Sequence, residues 1–349
     1  MKTEFTAEQV ELTRVVENLA QKLGPASVDA LSDERRRAAL RDGIDAVGIL
    51  DLRNDEGGPD VASGVELGIV SQIFGRHLVD VPFLGPVVAA ETRRLAGIGG
   101  DAAESSTVAL DPAGRGLAVW EPDGTASPSM AIDVDAGATA LGLIPSGEGY
   151  QLAVAEVIDI HRPVDLTRAV GSIPAGAPVR PIVGAYLSPS DVERVSVVGQ
   201  VAVVSDLIGA MGGAHELATD YAKIRKQYGR TIGSFQAVQH ALAESVALVE
   251  GATSIGRYAA WALDALENDQ SRRGAHIAKI YTAGVGRRVC ETAIQIHGGI
   301  GNTWDCLAHI YLRRVLHSTE LFGTGEVHLE KLAQELLLDN TSLTGQVGV

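Results

Sequence analysis

The sequence predicts an α+β chain: an N-terminal α-helical domain, a small antiparallel β-domain in the middle, and a C-terminal four-helix bundle. Three observations carry this expectation. Apolar residues recur at helical spacing through the N-terminal part of the chain. Gly and Pro then become frequent among short, β-branched runs. After Asp191 long amphipathic segments return. The expected boundaries are 1–104 for the helical domain, 105–191 for the β-barrel-like domain, 192–340 for the bundle and 341–349 for a tail.

The first helix is clearly punctuated. Thr6-Ala7-Glu8-Gln9 reads as a capping box, and Phe5 can staple onto Val10 across it. Leu12, Val15, Val16, Leu19 and Leu23 then form an apolar stripe that stops at Gly24-Pro25. Further helices are expected over Ser32–Asp45, Val61–Leu78 and Leu84–Leu95, with a turn-rich connector over Asp51–Pro59.

The texture changes near Ser105. Thr107–Leu110, Gly116–Trp120, Ala131–Val134, Ala138–Ile144, Gln151–Val157 and Val179–Leu187 have the length and spacing of strands in a small antiparallel barrel or sandwich. No G-x-G-x-x-G loop opens a helix here, which argues against a dinucleotide-binding α/β unit. Four long segments follow, Val192–Arg225, Ser234–Leu266, Ser271–His297 and Asp305–Leu316, with Val327–Leu338 as a shorter fifth. Long helices joined by short loops form a bundle more readily than any other arrangement.

Composition narrows the function. A chain of 349 residues, 46% hydrophobic and 21% charged, reads as a well-packed globule of more than one domain. A net charge of -15 argues against a polyanion partner such as nucleic acid, while leaving room for a small anion in a local basic pocket. Cys290 and Cys306 make no disulfide framework and fit no metal spacing, so they read as small buried residues of a reduced, cytoplasmic protein. The opening MKTEFTAEQVELTR is charged throughout and does not read as a secretory leader. Val195–Ala214 has the length of a membrane span. Gln200, Asp206 and four Gly inside it favour a helix buried in the bundle core, and no membrane association is expected.

Two stretches concentrate residues suited to chemistry. Arg225-Lys-Gln-Tyr-Gly229 closes the first bundle helix. A guanidinium beside an aromatic ring and a Gly suits a phosphate plus a flat ring, and equally suits an ordinary basic C-cap with a Gly stop. Phe235-Gln-Ala-Val-Gln-His240 opens the next helix, with Gln236 and Gln239 where acids are common. The second stretch, Gln295-Ile-His-Gly-Gly-Ile-Gly301, allows main chain to approach a ligand, or breaks the helix to make a packing turn. Trp304 and the run His309–Arg314 follow.

Together, in this order and separation, the two stretches resemble the signature of the acyl-CoA dehydrogenase flavoprotein family. Lys279, Thr303-Trp304-Asp305 and the α–β–α layout fit as well, over nearly the whole chain. The resemblance implies FAD as cofactor, an acyl-CoA as substrate and electron-transfer flavoprotein as acceptor. It also implies that these motifs reach across a dimer interface to the neighbour's FAD. Carried over, Arg225 pairs with the pyrophosphate and Tyr228 packs against the cofactor. Phe235 and Gln236 lie at the same interface, and Gln295, Gly298 and Gly299 face the adenosine-pyrophosphate portion.

The rest of the family pattern is eroded. Neither the T-E-P-x-A-G-S-D segment nor the W-[IF]-T-[NS] strand of typical members occurs between Ser105 and Val195; Glu121-Pro-Asp-Gly124 is a faint echo of the first. The reaction needs a carboxylate to take the α-proton while hydride leaves Cβ. The two places where family members carry that Glu hold Phe322 and Gly199 here, and Gln200 stands where a substrate-binding Arg would follow. No catalytic residue is therefore assigned. Asp206, Glu320 and Glu326 are the nearest acids; Asp206 lies about two turns from Gly199, and Glu326 suits a capping role. The pattern resembles the shorter, base-less subunit of heteromeric, sterol side-chain type members. Such a chain would complete the FAD site of a longer catalytic partner in a heterotetramer. A self-sufficient homotetramer with a relocated base and a flavin-free scaffold are the competing readings.

Overall fold

A computed structural model describes residues 4–54, 61–98 and 106–344. The change of texture near Ser105, most of the Asp51–Pro59 connector and the end of the tail lie outside the described residues.

Four helices open the chain: α1 (Ala7–Leu23), α2 (Glu34–Ala46), α3 (Gly64–Arg76) and α4 (Leu84–Leu95). Thr6 and Gln9 exchange both bonds of the capping box on α1, and Ser63 and Glu66 do the same on α3. That cap sets the start of α3 at Gly64, later than the apolar pattern suggests. Asp33 caps α2 through the Arg36 N–H at 3.1 Å. The α4 N-terminus has no side-chain cap of its own. Asp133, from the β-region, accepts from the Phe83 and Leu84 N–H groups at 2.8 and 2.7 Å instead.

The middle of the chain forms one sheet of seven strands: β1 (Ser106–Leu110), β2 (Ser129–Ile132), β3 (Thr139–Ser146), β4 (Gly149–Glu156), β5 (Ile158–His161), β6 (Val170–Ile173) and β7 (Arg180–Leu187). The order is β5-β6-β2-β1-β3-β4-β7. Most pairs are antiparallel, but β1 and β3 run parallel, with Val108 opposite Leu141. The sheet is therefore mixed, where the sequence suggested an antiparallel one. The physical reason is the path between them: β2 returns along one side of β1, so β3 comes up its other side in the original direction. Gly116–Trp120, expected as a strand, divides its bonds between two neighbours. Ala118 donates to Ala109 at 2.8 Å, and Trp120 donates to Leu143 at 2.7 Å. It makes only isolated bridges, and the buried Trp120 ring lies over the bare Cα of Gly142. Strands β5 and β6 were not foreseen, because each has only 4 residues and β6 contains a Gly.

The C-terminal helices are α5 (Pro189–Ile224), α6 (Gln236–Ala265), α7 (Asn268–His297), α8 (Ala308–Glu320) and α9 (Gly325–Thr344). A small hairpin of β8 (Lys226–Gln227) and β9 (Arg230–Thr231) joins α5 to α6. Helix α5 is the axle. Its most apolar window is 89% buried, against α3, α6, α7 and α8. The glycines in it are contact points. A Cβ on Gly209 would meet the Gln72 carbonyl of α3 at 1.8 Å, and one on Gly75 would meet the Asp206 carbonyl at 2.1 Å. The two helices therefore cross backbone against backbone. At the other edge Arg53, itself buried, holds Glu91 of α4 at 3.0 Å and Asp264 of α6 at 3.4 Å, tying the N-terminal helices to the bundle.

Candidate functional site

One end of the bundle collects both expected motifs. Helix α5 ends at Ile224, and Arg225 caps it, donating its N–H to the Tyr221 carbonyl at 2.9 Å. The hairpin turn that follows has Tyr228 at φ 53° and Gly229 at φ 79°. Two successive positive φ values make the tight turn that matches strand twist, and Gly suits its second position. Tyrosine at the first is costly, which marks the position as one held for a purpose. The residue is 93% exposed. Arg230 lies over the Phe235 ring at 4.2 Å, and Tyr228 meets the same ring edge-on at 6.3 Å. Arg225 is exposed and has no carboxylate partner among the described residues. Gln236, in the first turn of α6, is exposed too, while Gln239 turns back to the Gly233 carbonyl at 2.9 Å.

The second motif closes α7. Gly298 takes φ 66° and ψ -144°, a conformation that a side chain resists, and it starts a short 3-10 turn over Gly298–Asn302. Space beside Gly298 and Gly299 is open: no atom lies within 4 Å of an added Cβ at either. Gly301 is different, since a Cβ there would meet the Ile294 carbonyl at 2.9 Å. Two glycines of the run thus leave main chain open, and the third packs. Gln295 is exposed beside them. The motifs share an anchor. Tyr221, one turn before Arg225, stacks on His297 at 4.5 Å. His297 donates its Nδ1–H to the Ala293 carbonyl at 2.7 Å, since a carbonyl only accepts. Burial alone would raise the Cys306 thiol pKa; its hydrogen bond with His297 outweighs that and lowers it.

The place where chemistry would be expected is filled. Phe322 is fully buried at φ 58° in the turn between α8 and α9. A Cβ added to Gly199 would come within 2.5 Å of the Phe322 ring. The two positions that hold no carboxylate therefore lie against each other, and the ring of one occupies the space left by the other. Behind them runs a buried polar chain. Gln200 Oε1 is 3.2 Å from His276 Nδ1, His276 Nδ1 is 2.9 Å from His328 Nδ1, and His328 Nε2 is 2.9 Å from the Phe322 carbonyl. The carbonyl requires Nε2–H on His328, so His328 Nδ1 accepts and His276 Nδ1–H donates. Burial first, then nearby positive charge, pushes His276 down to about 4 and His328 down to about 3. Both imidazoles are neutral at pH 7. Lys279, buried on α7, donates to the Ser318 and Thr319 carbonyls at 3.0 and 2.9 Å and so closes the end of α8.

The candidate replacement acids are otherwise engaged. Asp206 is buried between Arg314 at 2.6 Å and Arg168 at 2.9 Å, and accepts from Ser318 at 3.0 Å. Burial would raise its pKa, but the two guanidiniums hold it below the usual carboxylate value. A carboxylate so paired is a weak base. Glu320 is exposed. Glu326 is exposed at the start of α9, where its own N–H and Thr324 hold its pKa down, as a capping group would be. The buried participants Arg168, His276 and His328 carried no sequence signal, because single polar residues at helical or loop positions look solvated until the packing is known.

The family described as acyl-CoA dehydrogenase, C-terminal domain, matches residues 192–337. The acyl-CoA dehydrogenase IpdE2 of Mycobacterium tuberculosis is 28% identical over 327 residues, 91% of this chain and 93% of that protein. The IpdE2 of Mycolicibacterium smegmatis is 29% identical over 173 residues, and there the chain spans 50% of its own length and 51% of the relative's. The fold is that of the ChsE4-ChsE5 complex from Mycobacterium tuberculosis, with TM-score 0.77, 22% identity and coverage of 97% of this chain and 99% of that one. The sequence motifs, the helix–sheet–helix order and these likenesses agree on one family: residues 192–337 match the acyl-CoA dehydrogenase C-terminal domain, and the cofactor of that family is FAD.

Proposed function

We propose that this chain is the non-catalytic subunit of a heteromeric, FAD-dependent acyl-CoA dehydrogenase. It would complete the cofactor site of a longer catalytic partner while carrying no base itself. The observation that carries the reading is the packing of Phe322 on Gly199, which leaves neither carboxylate nor space at the two positions where the family keeps its Glu.

The other end of the bundle fits a cofactor presented from outside. The donor set has the chemistry of an adenosine-pyrophosphate site: a guanidinium at Arg225 with no carboxylate partner among the described residues, an exposed Tyr228 beside a half-buried Phe235, amides at Gln236 and Gln295, and open main chain at Gly298 and Gly299. In the family the flavin supplies hydride acceptance from the acyl Cβ, and a carboxylate takes the α-proton. In this chain's share of the work, Arg225 would neutralise phosphate charge and the hairpin would shield it from water. The proton would go to the partner's base. An acyl-CoA thioester is the substrate class, and an electron-transfer flavoprotein the acceptor that suits it. The ChsE4-ChsE5 assembly, a complex of two differently named chains with this fold, supports a heteromer.

Co-expression with a longer, Glu-bearing member of the family from the same organism tests this. A stable heteromer with one FAD per pair is expected, and Arg225→Ala should cut its flavin content by about tenfold through loss of one charge-assisted phosphate contact. Full flavin occupancy in that variant would remove Arg225 from the site.

A further inference from the structure

A cavity of about 470 Å³ opens between the start of α1, α3, α5 and α6, and shares no residue with the hairpin end of the bundle or with the Gly199–Phe322 contact. Its floor is Ile69 and Gln72 of α3 with Ser205 and Ile208 of α5; Thr253, Arg257 and Trp261 of α6 form one wall and Phe5 faces them. The cavity is not slack packing. A Cβ on Gly256 would meet Ile208 Cδ1 at 2.4 Å, and one on Gly68 would meet Ala260 Cβ and Ser205 Oγ, each at 3.3 Å. The three helices already touch at their smallest residues, so they cannot close together to fill it.

The polar groups around it are of two kinds. Ser205 and Thr253 donate their hydroxyl protons back to the Val201 and Val249 carbonyls of their own helices, at 2.9 and 2.8 Å, and offer the cavity only lone pairs. Arg257 and Trp261 are donors, one turn apart on the same face of α6. Neither the Trp261 indole N–H nor the Gln72 side-chain amide has a hydrogen-bond partner among the described residues. Arg257 lies over the Phe5 ring at 5.1 Å and has no carboxylate partner among them. Stacking holds a guanidinium by its face and leaves the N–H groups along its edge free. Glu4 stands exposed at the same rim and forms no ion pair with Arg257.

We propose that this cavity binds a medium-chain aliphatic carboxylate, its head held by Arg257 and the Trp261 N–H at the rim and its chain lying on Ile69 and Ile208. A guanidinium edge takes both oxygens of a carboxylate, and the indole N–H adds a further donor. Glu4 at the rim repels a dianion such as phosphate more than it repels a singly charged head. The volume falls in the usual range for small-molecule sites, about 300–1,000 Å³, and a mostly apolar lining with a few convergent polar groups is the character of such sites.

The test uses the full chain without FAD or coenzyme A, so that its outcome is separable from that of the cofactor proposal. Decanoate, decanol and acetate are titrated by calorimetry at fixed ionic strength and below micelle-forming concentrations. Decanoate should bind once per chain, about tenfold or more tighter than decanol or acetate. Arg257→Gln should weaken decanoate by about tenfold and leave decanol unchanged. Thr253→Phe, which puts a ring into the cavity without touching a charge, should block both. At saturation decanoate should change the tryptophan emission of the parent and not that of Trp261→Phe, which reports the place of binding even if a cavity variant does not fold. Absence of saturable decanoate binding, binding no tighter than decanol, affinity unchanged in folded Arg257→Gln or Thr253→Phe, or an emission change that persists without Trp261 would each overturn the site.

Discussion

Gly199 and Phe322 each have a meaning that depends on the other. From sequence, each is a position lacking an acid. In the folded chain a ring lies where a Gly leaves room, 2.5 Å from where a Cβ would be. The pair is thus a piece of core packing built over a site. It follows that Gly199→Ala should destabilise the chain by about 1–3 kcal/mol through overpacking, measured by urea unfolding. Phe322→Leu should relieve part of that cost, because the two substitutions share one space. Additive effects would mean that the contact does not exist. That neither position carries an acid is legible in the residues themselves. The filling was not, since contact between positions more than a hundred residues apart is a property of α5 and the α8–α9 turn together. The same holds for Asp206. Its distance from Gly199 along the helix made it a poor base on paper, and its clasp by Arg168 and Arg314 gives it another task.

Among the elements, α7 and α9 meet through His276 and His328, which makes a pH-dependent joint. Each imidazole is buried neutral, so its folded pKa, about 4 and about 3, lies below that of the unfolded chain. The unfolded state therefore binds more protons once the pH falls below about 6.5, the ordinary value for His. Stability should be insensitive to these groups above that pH and decline as pH drops from about 6.5 toward about 4. Urea midpoints across that window should fall in the parent and flatten in His328→Asn; an equally steep decline in the variant would assign the effect elsewhere. The helices were largely legible because their stripes, caps and glycine stops are local. Leu84–Leu95 matches to the residue, and the Thr6 capping box forms as drawn. The sheet was less so. Strand β1 runs parallel to β3 because of where β2 lies, and β5 and β6 owe their existence to pairing with neighbours. Neither fact is local. The glycines of α5 are the instructive case: they looked like loose points in an apolar run, yet at Gly209 and Gly199 they are where α3 and Phe322 come closest.

The whole molecule has two contrasting ends. One bundle end displays an exposed tyrosine in a strained turn, an arginine with no carboxylate partner among the described residues, and main chain open at two glycines. The region where chemistry would occur is closed by a phenyl ring and a line of neutral, hydrogen-bonded polar groups. This contrast is what the proposed role, completing another subunit's cofactor site without acting on substrate, requires. The most direct test is to purify it alone and add excess FAD. A panel of acyl-CoA thioesters is then introduced without oxygen while the flavin absorbance is followed. A non-catalytic role requires no bleaching of the flavin by this chain alone with any thioester, and bleaching once the catalytic partner is present. Substrate-dependent bleaching by the isolated chain would contradict it.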